Sequence, residues 1–273
     1  KLSIVPQFPG ASCYAILKDW GYFLTNKPWM LEQSGGWAYE SGQLYVRLAD
    51  DSNPASHLIE ISPATGEGIT SVDKRYVHFD GITIKYAGAK GINLTNPIRF
   101  TLTNLNVTDS GDTAIAVRGY ATSAKDSSGN PYEGGTIEAC TITNSARTGI
   151  LTDSHANVSI LNNRIRNTGT VGRPIRSYGA IWVLTADNDV IQNNQIENSG
   201  YIGIRVQRQE GVRQNALVKN NIVENSCSVL DDCGAIYIQG HGGARVSELP
   251  TQYSKIVGNL VLNSIGNPAG RGD

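Results

Sequence analysis

Hydrophobic and polar positions follow a short pattern that returns seven times from about residue 76 onward. The clearest copies read ILNNRIRNTG at 160–169, IQNNQIENSG at 191–200 and VKNNIVENSC at 218–227, and weaker copies begin at 79, 102, 137 and 256. The copies align on one aliphatic column, which consists of Ile84, Val107, Ile142, Ile165, Ile196, Val223 and Val261. The steps from 84 to 107 and from 142 to 165 are both 23 residues, and the other steps are longer because they hold insertions. A repeat of this length indicates a solenoid.

A second short apolar strand follows the first six copies. Its members are GINL at 91–94, AIAVRG at 114–119, GILTD at 149–153, GAIWVL at 179–184, GIRVQ at 203–207 and GAIYIQ at 234–239. Short alternating strands, no helical periodicity and no leucine consensus fit one turn of a parallel β-helix per repeat. We therefore predict an all-β chain with a parallel β-helix at 72–273, its coils over 72–266, after an N-terminal cap or flanking segment at 1–71.

Two columns of asparagine mark the corners of the predicted coils. One contains Asn163, Asn194, Asn221 and Asn259, and the other contains Asn144, Asn167, Asn198, Asn225 and Asn263. Asparagine tolerates left-handed backbone angles, and its amide is able to bond the equivalent amide one coil away. We interpret both columns as structural ladders.

These repeats resemble the right-handed parallel β-helix of the pectate-lyase-like superfamily of carbohydrate-active proteins, over about residues 72–266. The right hand also agrees with the strong bias of parallel crossovers. The resemblance implies a secreted, periplasmic or cell-surface protein whose polysaccharide substrate lies along the first sheet. Before the repeats, residues 37–54 indicate a hairpin that turns at Ser41 and Gly42, similar to the segment that precedes the solenoid in several bacterial β-helix enzymes.

Composition and charge narrow the possible partners. Lys and Arg total 23 against 24 Asp and Glu, and this balance lacks the positive charge on which most nucleic-acid binders depend. No apolar run approaches the roughly 20 residues of a membrane span, so neither nucleic acid nor membrane is expected as a partner. Cys227 and Cys233 are close enough in sequence for a loop-closing disulfide, with buried free thiols as the alternative.

An outward-facing column on the first strand carries the main candidate for ligand binding. Alternation places Ile181, Val183, Ile204, Val206, Ile236 and Ile238 inward, and Ala116, Leu151, Trp182, Arg205 and Tyr237 outward. Trp182, Arg205 and Tyr237 then form what we call the Trp-Arg-Tyr column, an exposed ridge suited to stacking on sugar rings. The neighbouring outward positions add further candidate binding residues: Arg118, Asp153, Gln207 and Gln239.

Insertions in the repeat hold most of the remaining reactive residues. They lie at 120–136, 168–178, 208–217, 226–233 and 240–254. Arg176 and Arg208 are further candidate binding residues within them. For a hydrolase, the best catalytic set is Asp231 and Asp232 with Glu210, near Arg205 and His241, with Glu248 as an alternative to Glu210. Twin aspartates before a GAIYIQ strand resemble motifs in β-helix hydrolases of the polygalacturonase type, although the glycine-flanked His241 lies closer to them than in that family.

Two other functions use the same residues differently. A polysaccharide lyase would neutralise a uronate carboxylate with Arg205, Arg208 or Arg176 and remove a proton with His241 or Tyr237. Only that alternative would place a Ca²⁺ ion at Asp231 and Asp232; otherwise no metal and no cofactor is expected. A non-catalytic β-helix, such as an adhesin or tailspike segment, would bind glycan alone. We favour the hydrolase, and the arginines favour a partly anionic glycan.

Overall fold

A computed structural model describes residues 2–4, 23–25, 36–41, 43–48, 50–61, 66–119, 134–155, 157–169, 179–184, 187–207, 215–230, 233–239 and 254–265. Its first five strands precede the repeats: β1 (Leu2–Ile4), β2 (Phe23–Thr25), β3 (Gly36–Glu40), β4 (Gln43–Arg47) and β5 (Ile59–Ile61). β3 and β4 pair antiparallel around Ser41, which confirms the predicted hairpin. The one helical turn among the described residues is the 3₁₀ segment Pro54–Ser56.

Three parallel sheets of seven strands form the rest of the described chain. The first sheet contains β6 (Ile69–Val72), β9 (Ile92–Thr95), β12 (Ile115–Arg118), β15 (Ile150–Asp153), β18 (Gly179–Leu184), β21 (Ile202–Gln207) and β24 (Ile236–Gln239). The second contains β7 (His78–Asp80), β10 (Phe100–Thr103), β13 (Gly135–Glu138), β16 (Ser159–Leu161), β19 (Asp187–Gln192), β22 (Asn215–Lys219) and β25 (Lys255–Val257). The third contains β8 (Thr83–Lys85), β11 (Asn106–Ser110), β14 (Thr141–Ser145), β17 (Arg164–Thr168), β20 (Gln195–Ser199), β23 (Ile222–Glu224) and β26 (Leu260–Leu262).

Each coil takes one strand from each sheet, so coil one is β6, β7 and β8 and coil seven is β24, β25 and β26. All strand pairs within these sheets are parallel, which confirms a parallel β-helix of seven coils. β6 begins at Ile69 and spans the boundary that the sequence indicated between residues 71 and 72. No helix in the described part of the chain is long and apolar enough to cross a bilayer.

The predicted aliphatic column is the core of the third sheet. Val107, Ile142, Ile165, Ile196 and Val223 are fully buried and pair in register from coil to coil. The column loses its cover at the last described coil, where Val261 is 47% exposed. Ile165 and Ile196 therefore lie in a single aliphatic stack, as expected from the repeat.

An inner asparagine ladder follows this core. The backbone N–H and the side-chain amide of Asn163 both donate to Oδ1 of Asn194, at 3.0 Å. The same two bonds join Asn194 to Asn221 at 2.9 Å and Asn221 to Asn259 at 2.8 and 2.9 Å. The first three asparagines are at most 1% exposed, so the ladder satisfies backbone groups that would otherwise be buried without partners.

Left-handed backbone occurs one residue earlier than the inner ladder, which corrects our expectation for that column. Asn162, Asn193 and Asn220 have φ values of 57°, 58° and 54°. These residues turn the chain, and each following asparagine then directs its amide into the coil. The outer ladder combines both properties, since Asn144, Asn167, Asn198, Asn225 and Asn263 have positive φ and the first four are joined by side-chain hydrogen bonds.

Candidate functional site

The first sheet brings the Trp-Arg-Tyr column together as predicted. Trp182 in β18 pairs with Arg205 in β21, and Arg205 pairs with Tyr237 in β24. Because every second residue of a strand lies on the same face, Ile181, Ile204 and Ile236 point into the core while these three point away from it. The column therefore spans coils five to seven.

Arg205 is buried, and our expectation that the whole column is exposed is wrong at this residue. It is 7% exposed, whereas Trp182 and Tyr237 are partly buried. The guanidinium carbon lies 5.2 Å from the centre of the Trp182 ring, and Nη2 donates a 2.5 Å hydrogen bond to Oε1 of Gln239. Stacking on one neighbour and bonding to another encloses this cation within the outer face of the sheet.

The electrostatics of Arg205 agree with an internal role. Burial lowers the pKa of its guanidinium, and charge interactions with Tyr201 and Tyr237 act in the opposite direction. Arginine nevertheless remains protonated in proteins, so the site holds a positive charge among aromatic rings. This cation organises Trp182 and Gln239.

The outer face is also closed in coils three and four. Ala116 is fully buried and Leu151 is 5% exposed, although both have the outward direction that alternation assigns. Alternation predicts the direction of a side chain, but neighbouring side chains decide its exposure. Ala116 is short and lies between Asn93 and Leu151 in the same column. The exposed part of the column therefore begins at Trp182.

Trp182 and Gln207 each have a polar atom without a hydrogen-bond partner among the described residues. These atoms are Nε1 of Trp182, which is a donor, and Oε1 of Gln207, which is an acceptor. The two residues lie on adjacent coils, because Gln207 pairs with Leu184 of β18. Gln207 and Gln239 pair in turn, so amide groups run beside the aromatic residues.

Arg118 and Asp153 form the earlier part of this neighbouring column. They pair between β12 and β15, Arg118 is exposed, and Asp153 accepts a 3.0 Å hydrogen bond from Oγ of Ser154. Asp153 pairs with Leu184 of the coil that carries Trp182. This column is therefore polar in coils three and four, apolar at Leu184 in coil five, and polar again at Gln207 and Gln239.

Several predicted site residues lie outside the described residues, and their roles stay predictions. These are Arg176, Arg208, Glu210, Asp231, Asp232, His241 and Glu248. No group of three or more metal-ligating side chains occurs among the residues with described positions.

The disulfide left open by the sequence is formed. Cys227 and Cys233 are bonded, with their Cα atoms 5.9 Å apart, while Cys140 is a buried free thiol. Tyr201, which sequence reasoning did not select, forms a small apolar cluster with Ile202, and Cys233 and Tyr237 pack on it. The sequence feature that could have identified Tyr201 is an aromatic residue within the shortest connection between two coils.

A second polar cluster that sequence reasoning missed lies on the first sheet in coils one and two. Glu67 accepts hydrogen bonds from Lys90 at 2.8 Å, from Thr70 at 2.7 Å and from Asn93 at 3.0 and 3.1 Å. Burial acts to raise the pKa of Glu67, but these hydrogen bonds and the charge of Lys90 outweigh it and lower the pKa. The carboxylate is therefore held as an anion that ties two coils together.

His155 is buried within the solenoid, 2% exposed, and its ring packs edge-on against Phe100 with the ring centres 5.8 Å apart. Burial lowers its pKa to about 4, against a weaker opposing hydrogen bond with the Pro97 backbone. In the unfolded chain this histidine takes up a proton near pH 6.5, whereas in the folded chain it does so only near pH 4. The free energy of unfolding therefore falls as the pH drops from about 6.5 towards 4.

We expect this histidine alone to cost about 2 kcal/mol of folding free energy between pH 7 and pH 4.5. Urea unfolding at both pH values measures the loss. His155→Phe, which keeps an aromatic ring in the buried position, removes this part of the pH dependence. An unchanged pH profile in His155→Phe contradicts the assignment.

Comparison with known proteins agrees with the architecture. The family model for the right-handed β-helix region matches residues 67–259. No curated protein matches the sequence. Among solved structures, the chain is similar to the catalytic domain of a GH87 alpha-1,3-glucanase in complex with tetrasaccharides, with 16% identity and a TM-score of 0.32 over 74% of this chain and 50% of that chain. The chain thus spans about half the length of that structure.

The family model covers most of the chain, and its matched range coincides with the three parallel sheets of seven strands. From these two observations together, the chain belongs to the right-handed β-helix family, and its solenoid is right-handed.

Proposed function

We propose that this protein is a secreted or cell-surface glycoside hydrolase that binds a polysaccharide along the Trp-Arg-Tyr column. The observation that carries the proposal is the in-register placement of Trp182, Arg205 and Tyr237 on three successive coils. Strands in a sheet lie about 4.8 Å apart, so the column is a continuous surface about 10 Å long. Partly exposed aromatic rings beside amide groups are the side chains that bind the apolar faces and hydroxyl groups of sugars.

The state of Arg205 favours hydrolysis over β-elimination. A lyase needs a cation that neutralises the uronate carboxylate of its substrate. The Arg205 guanidinium is instead 7% exposed, stacked on Trp182 and bonded to Gln239. It supports the binding surface from within, so we propose that recognition of an anionic glycan would depend on Arg118, Arg176 and Arg208.

Asp231 and Asp232 are our candidates for the acid–base or nucleophile pair. In glycoside hydrolases two carboxylates share the work, one as general acid and the other as base or nucleophile, and we propose that division for Asp231 and Asp232. Only residues 233–235 separate them in the sequence from β24, the strand that carries Tyr237. We propose that they act on a glycosidic bond of the glycan held along the column.

Product analysis tests this function. The protein is incubated with soluble starch, laminarin, carboxymethylcellulose and polygalacturonate, and the reducing ends and the ultraviolet absorbance of 4,5-unsaturated uronates are recorded. A hydrolase releases reducing ends without the absorbance, and Asp231→Asn or Asp232→Asn lowers its rate by about 10²–10⁴ while the fold persists. The control Asp80→Asn, at an exposed aspartate of the second sheet, keeps full activity.

Two results contradict the proposal. Unsaturated products would assign the protein to the lyases, with Arg176, Arg208 and His241 as the remaining candidates for that chemistry. Retention of a polysaccharide without cleavage would assign it to the non-catalytic β-helices.

A further inference from the structure

The link between coils six and seven is fastened to the coil beneath it. The backbone N–H of Cys227 donates to the Tyr201 carbonyl at 2.8 Å, and that of Ser228 donates to the Ser199 carbonyl at 3.2 Å. Val229 and Leu230 both donate to the Gly200 carbonyl, at 2.9 and 3.0 Å. Four successive amides are thereby bound to one short segment, residues 199–201.

A covalent bond also joins the two ends of the same link. The Cys227–Cys233 disulfide closes a ring over residues 227–233. Cys227 is 2% exposed and has a left-handed φ of 65°, so one end of the disulfide is buried at a turn of the backbone. The disulfide therefore places Cys233 beside Cys227, near the start of the link.

This ring shares one apolar cluster with the Trp-Arg-Tyr column. Tyr201 is 5% exposed and Ile202 is 1% exposed, and Leu230, Cys233 and Tyr237 pack against them. Tyr237 is thus in contact with the cluster on which the disulfide ring rests, and it pairs with Arg205 along the column. Tyr237 therefore packs on the same two residues as Leu230 and Cys233 of the link.

The steric fit at this point is close. A Cβ atom on Gly200 would collide with the carbonyl of Gly169 and lie 3.2 Å from a methyl group of Val229. Backbone from two coils and the side chain of the link therefore meet at residue 200. This fit requires glycine for close approach.

From these contacts we propose that the Cys227–Cys233 disulfide and Tyr201 are positioning groups of the candidate site, which hold residues 227–230, Cys233 and the Tyr237 strand in place. The proposal rests on the proposed function for its catalytic consequence. In the sequence, Asp231 directly follows Leu230, and Asp232 directly precedes Cys233. Both candidate acids therefore belong to the covalent ring, each one peptide unit away from a residue that packs on the Tyr201 cluster.

The first test measures the ring itself, without substrate. Hydrogen exchange is compared for the wild type, the wild type in a thiol reductant, and the double variant Cys227→Ser and Cys233→Ser. We expect the amides of residues 227–230 and 236–239 to exchange at least about tenfold faster after the disulfide is lost, with β17 and β20 unchanged. Reductant added to the double variant is the control and changes nothing further. Unchanged exchange in the ring overturns the proposal.

The second test measures the consequence for catalysis on whichever of the four polysaccharides the wild type cleaves. We expect the double variant and Tyr201→Ala to lose at least about tenfold in kcat, and Tyr201→Phe, which keeps the ring packing, to retain wild-type activity. Faster exchange with unchanged kinetics overturns the positioning role. If the wild type cleaves none of the polysaccharides, the proposed function fails, and hydrogen exchange alone then decides whether the disulfide and Tyr201 hold the ring.

Discussion

Replacing Asn194 by alanine is expected to lower the free energy of unfolding by about 3–5 kcal/mol. Its side-chain oxygen accepts two bonds of 3.0 Å from Asn163, and its side-chain nitrogen donates to the Ile160 carbonyl and to Asn221, both at 2.9 Å. Alanine leaves the backbone N–H of Asn163 and one of its two side-chain N–H groups without an acceptor, while the other still donates to the Ile137 carbonyl. Asn163 and Asn194 are both 1% exposed. A buried group without a partner costs about 1–3 kcal/mol, and this change strands several at once.

The matched control is Asn198→Gly in the outer ladder. Asn198 has a φ of 58°, which glycine adopts without strain. Its side chain donates a 3.3 Å bond to Asn167 and accepts a 3.1 Å bond from Asn225, both in a partly exposed position that water reaches. We expect a loss under about 1 kcal/mol, measured by urea unfolding monitored with circular dichroism. Equal losses in the two variants would show that burial does not distinguish the ladders.

Truncation of Ile196 to alanine is expected to cost about 2–5 kcal/mol. The side chain is fully buried and stacks between Ile165 and Val223 in the third sheet. Removing three carbons leaves a cavity that the neighbouring coils are unable to fill, because each coil is held in register by its backbone ladder. In a solenoid the damage is local, so amide exchange accelerates first in the coils on either side.

Val261→Ala is the control for this prediction. Val261 occupies the same column, two coils further on, but is 47% exposed at the last described coil. Truncating this half-exposed side chain removes little buried apolar surface. We therefore expect a loss under about 1 kcal/mol in the free energy of unfolding. A loss under about 1 kcal/mol for Ile196→Ala as well would contradict the assigned register.

The solenoid was predictable from the sequence because the core residues repeat with the period of the coils. A residue such as Ile165 has to stack on its equivalents in the coils before and after, so the same aliphatic position returns in every repeat. The in-register column of Trp182, Arg205 and Tyr237 follows from the same period, and the structure confirms its alignment. The strands and their register can therefore be predicted from the repeat pattern of a single sequence.

Burial on the outer face was not predictable in this way. Arg205, Ala116 and Leu151 point away from the core, yet they are buried, because their exposure depends on neighbouring side chains that follow no repeat. The Tyr201 cluster is a further example, since its partners Leu230 and Cys233 come from an insertion. The left-handed corners were placed one residue late in the inner ladder, because Asn162 and Asn163 are the same residue type with different tasks.

Kinetics of Trp182→Ala on the polysaccharide that the wild type cleaves tests the central claim most directly. If the glycan lies along the Trp-Arg-Tyr column, loss of the indole lowers kcat/KM by about 100-fold or more, because it removes a stacking surface and the support for Arg205. The control Tyr76→Ala removes a 68% exposed aromatic residue of coil one and leaves kcat/KM unchanged. Wild-type binding and cleavage by Trp182→Ala on every polysaccharide would show that the glycan lies elsewhere.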